Sequence, residues 1–203
     1  KINLLDCTLR DGGYYNNWFF EKKLINEYLR VMSLIKIDYV EIGFRFLDKV
    51  KTKGPCAYSE EIFLRSLKIP KNLKIGVMVN AADFVGQKNI IELAKKNFKP
   101  KRKSIISLVR LACHSHEVKE ILPLINWLKK SGYKVGVNIM QIPELSSREI
   151  KNVVKQIKKT KADVLYFADS MGSLGSLQTK RIVNQIKLLW KKSTGIHTHD
   201  NMG

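Results

Sequence analysis

Short apolar runs separated by stretches of helical spacing recur through almost the whole chain, and few folds accept such an order. The runs cover residues 2–9, 39–44, 74–80, 104–113, 134–141 and 163–170, with a seventh that ends at His197 and His199. Most are apolar throughout rather than alternating, which is the pattern of strands covered on both faces. Between the first two, Leu24, Ile25, Tyr28, Leu29, Met32 and Ile35 recur at helical spacing. Further on, Ser131-Gly132 closes one helix, and Ser146 with Glu149 three residues later opens the next. Seven strands and six helices in strict alternation predict a parallel α/β sheet.

A parallel sheet built from repeated βα units closes most readily as a TIM (β/α)8 barrel, which usually takes ~250 residues. At 203 residues the chain reads as a single barrel domain over residues 1–203 that is truncated after strand seven, with no eighth βα unit. A 44% apolar and 27% charged composition is that of an ordinary globular domain, and no run of eighteen apolar residues or apolar leader is seen. The expected location is cytoplasmic. Cys7, Cys56 and Cys113 are odd in number and lack finger-like spacing, so they are expected as reduced thiols.

The net charge of +19, from 37 Lys and Arg against 18 acidic residues, raises the question of a nucleic-acid partner. The lysines are spread over nearly every helix, without an aromatic and basic RNA-binding signature. They read as solvated surface, whose field favours anionic substrates over nucleic acid.

Two stretches carry chemistry. Leu5-Asp6-Cys7-Thr8-Leu9-Arg10-Asp11-Gly12-Gly13 puts an Arg and an Asp side by side where an apolar strand runs into an expected glycine turn. Gly195-Ile196-His197-Thr198-His199-Asp200-Asn201 puts two histidines on one side of a strand. Alone, the first is an ordinary turn and the second a surface strand. Together, one carboxylate and two imidazoles make half of an octahedral shell. Asp11, His197 and His199 would suit Mn²⁺, Mg²⁺ or Zn²⁺, with positions left for substrate oxygens.

The phrase Asp6-x-Thr8-Leu9-Arg10-Asp11-Gly12, paired with His197-x-His199-Asp200-Asn201, resembles the metal-dependent TIM-barrel aldolases and acyl-transferring synthases. That family includes hydroxymethylglutaryl-CoA lyase, 4-hydroxy-2-oxovalerate aldolase and isopropylmalate synthase. The resemblance covers nearly the whole chain. It is strongest to an aldolase-like group that reads Asp-Cys-Thr-Leu-Arg-Asp-Gly-Gly-Tyr-Tyr-Asn-Asn-Trp, as residues 6 to 18 do.

The resemblance implies a carbon–carbon lyase that makes or breaks a bond next to a 2-oxo acid through a metal-stabilised enolate, with an aldehyde as second partner. Arg10 would stabilise the enolate oxygen. Tyr14 stands where 4-hydroxy-2-oxovalerate aldolase carries its catalytic histidine, and is the candidate for proton transfer. Glu41, a carboxylate inside the apolar run 39–44, needs a partner and is expected either at Arg10 or at the substrate and metal side. Arg110 and His114, in an Arg-x-Ala-x-His phrase, are candidates for a substrate carboxylate. Asp169 and Ser170 are candidates for substrate contact at the end of strand six, with a plain loop start as the alternative for Asp169. His114-Ser115-His116 is set aside as a metal site, because a helix start is expected to splay its two imidazoles. The segment 45–59 reads as a solvated loop at the site's end of the barrel. An acyl-CoA-dependent Claisen-type synthase and a catalytically inactive basic barrel acting as a binding module are the alternatives, and a homo-oligomer is left open.

Overall fold

A computed structural model describes residues 2–199; Asp200 and Asn201, part of the second motif, lie outside the described residues. Among the described residues seven parallel strands alternate with helices, the βα repeat of a TIM barrel. The chain divides into two compact units.

Among the described residues the first unit comprises 2–80, 93–109 and 131–133. It holds β1 (Leu5–Asp6), α1 (Thr8–Asn16), α2 (Lys22–Leu34), β2 (Tyr39–Phe44), α3 (Pro55–Tyr58), α4 (Glu61–Arg65) and β3 (Lys74–Asn80). It also takes most of α5 (Ile90–Asn97) and the first half of β4 (Ile106–Cys113). β1 pairs in parallel with β2 from Leu5 opposite Tyr39, and β2 with β3 from Tyr39 opposite Lys74. All six β2 residues are buried, as expected for a strand covered on both faces. Gly43 must lack a side chain, because a Cβ there would lie 1.8 Å from the Cys56 carbonyl oxygen on α3.

Among the described residues the second unit comprises 81–92, 110–130 and 134–199. After the second half of β4 come α6 (Val118–Lys130), β5 (Lys134–Ile139), α7 (Ser147–Lys158), β6 (Val164–Asp169), α8 (Ser176–Leu189) and β7 (Ser193–Thr198). β5 pairs with β6, and β6 with β7, both in parallel. α7 opens as its sequence predicts: Ser146 accepts the Glu149 N–H, and the Glu149 carboxylate accepts the Ser146 N–H at 2.8 Å. Ile150, Val153, Val154 and Ile157 form its buried stripe. The Asp163 carboxylate accepts both the Lys129 ammonium and the Val135 N–H, each at 2.7 Å, and so ties α6 to the starts of β5 and β6.

The start of the chain departs from the expected strand and glycine turn. β1 is only two residues long, and Thr8–Asn16 is helical. The Asp6 carboxylate accepts the Thr8 N–H at 2.9 Å, which satisfies the first free N–H of the helix although Cys7, its N-cap, makes no side-chain cap. Gly12 and Gly13 are tolerated inside it because the second must be bare. A Cβ on Gly13 would lie 1.9 Å from Cδ1 of the Trp18 ring. Asn17 and Trp18, both left-handed with φ of 54° and 60°, end the helix. Asp11 therefore stands on a helix, not at a strand end.

Candidate functional site

In the first unit, α1 and β2 bring four of the expected residues together. Arg10, on α1 and only 6% exposed, donates through Nε to Oε2 of the wholly buried Glu41 at 2.9 Å. Its Nη1 donates to Oδ1 of the half-buried Asp11. The guanidinium lies 5.8 Å over the Phe44 ring, and the Trp18 indole N–H donates to the Arg10 carbonyl at 2.9 Å. Burial opposes the charge, but Glu41 and then Asp11 more than offset it and hold the guanidinium above its ordinary value. Of the two partnerships open to Glu41, the structure shows the one with Arg10.

Tyr14, one turn along α1, packs edge-on against Trp18 with ring centroids 4.9 Å apart. Its phenol pKa is raised, chiefly by burial, although Arg10 pulls the other way. Phe44 and Phe46 stack at 4.4 Å beside Trp18, and Lys53, from the segment 45–59, sets its ammonium 4.2 Å over Phe46. That segment is therefore pinned to the aromatic cluster, and part of it forms α3. Tyr28 donates to the Asp6 carboxylate, which also accepts the Thr8 N–H.

In the second unit, Arg110 on β4 is fully buried, its guanidinium 4.6 Å over the Tyr166 ring. Tyr166 lies opposite Gly195 in the sheet register. A Cβ on Gly195 would come within 2.2 Å of that ring, and one on Gly136 within 2.6 Å. The two bare backbones make the slot in which Tyr166 lies flat. Asn138, 3% exposed, follows Gly136 on the same face of β5.

Asp169, also 3% exposed, turns its oxygens to the loop after β6, accepting the Ser173 N–H at 2.9 Å and the Leu174 N–H at 2.7 Å. Burial alone would raise its pKa, but these N–H groups outweigh it and leave the carboxyl below its ordinary value. The neighbouring Ser170 hydroxyl accepts the Gln141 N–H at 3.4 Å.

His114 and His116 do not diverge as expected; their rings are parallel to within 6°, with centroids 5.6 Å apart. The reason is local. Residues 114–117 form a turn, and the Glu117 carboxylate accepts the His114 N–H at 2.7 Å, so α6 starts only at Val118.

His197, half-buried on β7, and His199, exposed just beyond it, set their rings 4.9 Å apart and nearly perpendicular. Two imidazoles so placed can turn a nitrogen each toward one ion at the ~2.1 Å that such bonds need. Such a nitrogen pair suits a borderline divalent cation.

The sequence reading missed Tyr166, Trp18, Gln141 and the pairing of His116 with His114. Glycines at 136 and 195, in the strands on either side of β6, were the available sign of a group lying close across them.

Among the described residues no helix is long and apolar enough to cross a membrane. No family model matches the chain. It is 25% identical over 206 residues to a 4-hydroxy-2-oxovalerate aldolase of Carboxydothermus hydrogenoformans, covering all of this chain and 59% of the relative. It is 19% identical over 201 residues to an oxaloacetate decarboxylase of Mycobacterium tuberculosis, covering 98% of this chain and 57% of the relative. The chain thus spans under three-fifths of the length of these curated relatives. Among solved structures, the N-terminal domain of a putative aldolase from Bacteroides vulgatus superposes with a TM-score of 0.83 at 26% identity, covering all of this chain and 66% of that one. The motifs at either end, the βα architecture and these likenesses agree: the chain is similar in sequence and fold to the TIM-barrel aldolases, a 4-hydroxy-2-oxovalerate aldolase among them.

Proposed function

We propose that this chain belongs to a divalent-metal-dependent carbon–carbon lyase that cleaves, or in reverse forms, a bond next to a hydroxylated 2-oxo acid. The observation that carries the reading is the Arg10 guanidinium, fixed by Glu41 at 2.9 Å and by Asp11 inside the motif shared with the aldolases. The names of the two curated relatives, an aldolase and a decarboxylase of 2-oxo acids, support the same substrate class.

In the cleavage direction the substrate's 4-hydroxyl loses its proton. The bond between carbons 3 and 4 breaks, carbon 4 becomes an aldehyde, and the electron pair passes to a pyruvate-like enolate, which then takes up a proton at carbon 3. Arg10 acts where negative charge develops, at the enolate oxygen, and being already oriented it needs no reorganisation during the step. Glu41 is a positioning residue that holds the guanidinium. Tyr14, whose raised pKa keeps its phenol protonated, donates a proton or hydrogen bond instead of abstracting one.

Asp11, His197 and His199 would hold the ion, Mn²⁺ or Mg²⁺ first and Zn²⁺ as the alternative. The chemistry it supplies when bound is polarisation of the 2-oxo carbonyl. Arg110, buried against Tyr166, and Asp169, committed to its loop, serve the substrate pocket through its shape; Ser170 and His114 are the accessible candidates for direct contact.

The test is the full protein with Mn²⁺, pyruvate and an aldehyde. Condensation that a chelator abolishes supports the reading, and a rate indifferent to chelator contradicts it. Release of a thiol from acetyl-CoA with a 2-oxo acid would favour the Claisen-type synthase instead.

A further inference from the structure

The C-terminal ends of β4 and β5 bound a cleft of about 280 Å³ in the second unit. His114, Ser115 and His116 form one rim, and Met140, Gln141, Glu144 and Leu145 the other. The rims are tied together where the Met140 N–H donates to the Cys113 carbonyl at 3.0 Å. The C-terminal strand ends are where TIM barrels keep their ligand sites.

Two further features mark the cleft as built. Its imidazoles are held parallel, and among the described residues neither ring has a protein hydrogen-bond partner. Gln141 adopts a left-handed backbone, φ 51°, which residues with a side chain take infrequently.

The lining decides the ligand class. Each imidazole can donate and accept, as can the Ser115 hydroxyl and the Gln141 amide, while Glu144 only accepts. Met140 and Leu145 can cover the carbons of a ligand, but an alkyl chain would strip water from the imidazoles, Ser115, Gln141 and Glu144 and return no hydrogen bonds. An anion would meet the Glu144 carboxylate. A chain of hydroxyls, each a donor and an acceptor, satisfies both rims. The cleft lies just below the range of drug-sized pockets, which suits about four to six carbons.

We propose that this cleft binds a short polyhydroxylated chain, and that the aldehyde partner of the reaction is aldose-like, not alkyl. The second half rests on the lyase reading; the binding site does not.

The probe is erythritol, followed by saturation-transfer NMR on the full protein, with 1-butanol as the apolar control. Transfer to erythritol and not to butanol is expected, falling at least fivefold in His116→Ala and in Glu144→Ala and unchanged in Lys95→Ala. Should an alanine variant fail to fold, His116→Asn and Glu144→Gln carry the same test. Absent transfer, or transfer that these changes leave intact, overturns the site. With pyruvate, D-erythrose is expected to exceed butanal at least tenfold in kcat/KM, a preference that His116→Ala removes. Erythritol binding without turnover of either aldehyde would uphold the site and sink the lyase reading. Turnover without preference and without erythritol binding would do the reverse.

Discussion

Arg10 and Glu41, thirty-one positions apart in sequence, form a buried ion pair at 2.9 Å in which Glu41 has no exposed surface. Breaking such a pair from one side strands the other charge away from water, at a cost of about 3–5 kcal/mol. Glu41→Ala is therefore expected to destabilise the fold by an amount in that range, and Glu41→Gln, which keeps an acceptor for Arg10 Nε, by clearly less. Urea titration of both variants checks the order. Equal small losses would mean that Asp11 alone suffices.

The two adjacent glycines of α1 should respond in opposite directions to alanine. A Cβ on Gly12 meets only the Phe20 ring, at 3.9 Å, so Gly12→Ala is expected to gain up to about 1 kcal/mol of helix propensity. Gly13→Ala drives a methyl into Trp18 and is expected to lose about 1–3 kcal/mol. Thermal melts of the pair measure the contrast.

Gly195 and Tyr166 should be coupled. Gly195→Ala alone displaces the ring and costs about 1–3 kcal/mol, whereas in a Tyr166→Ala background the same methyl has room. A double-mutant cycle is expected to show non-additivity of at least about 0.5 kcal/mol, against near-additivity if the ring does not occupy the slot.

Burial pushes the Cys56 thiol up to about 12, and burial with Glu117 nearby pushes Cys113 up further. Both thiols hold their protons in the folded chain at pH values where an unfolded chain, titrating near 9, has lost them. Their contribution is complete below pH 9 and is lost as pH rises through the folded values, so stability should fall between pH 9 and 12. Cys56→Ala with Cys113→Ala should flatten that decline, as read from denaturation midpoints across the window. At pH 8, native protein is expected to alkylate at Cys7 in preference to the two buried thiols.

Much of the fold was legible because local pattern and burial agree. β2 and β3 begin and end where their apolar runs do, and Ser146 with Glu149 marks the start of α7 to the residue. The first motif misled because two glycines usually stop a helix, and here a tertiary contact, Trp18 against Gly13, overrides that propensity. The Arg10–Glu41 partnership was readable from the rule that a carboxylate in an apolar run needs a cation. Gly136 and Gly195 signalled a close approach in their strands, but that Tyr166 makes it was not readable, because it depends on the register that sets Tyr166 opposite Gly195. Nor was the stack of His114 on His116, which depends on Glu117 delaying α6.

Exchange of the pyruvate methyl hydrogens for deuterium, followed by NMR in D₂O, tests the central claim without requiring the aldehyde to be known. The full protein with Mg²⁺ is expected to catalyse exchange well above buffer, and a chelator, Arg10→Ala or His197→Ala should each reduce it at least a hundredfold. Exchange no faster than buffer, or exchange that survives chelation and loss of His197, would contradict enolate chemistry supported by Arg10 and a divalent ion.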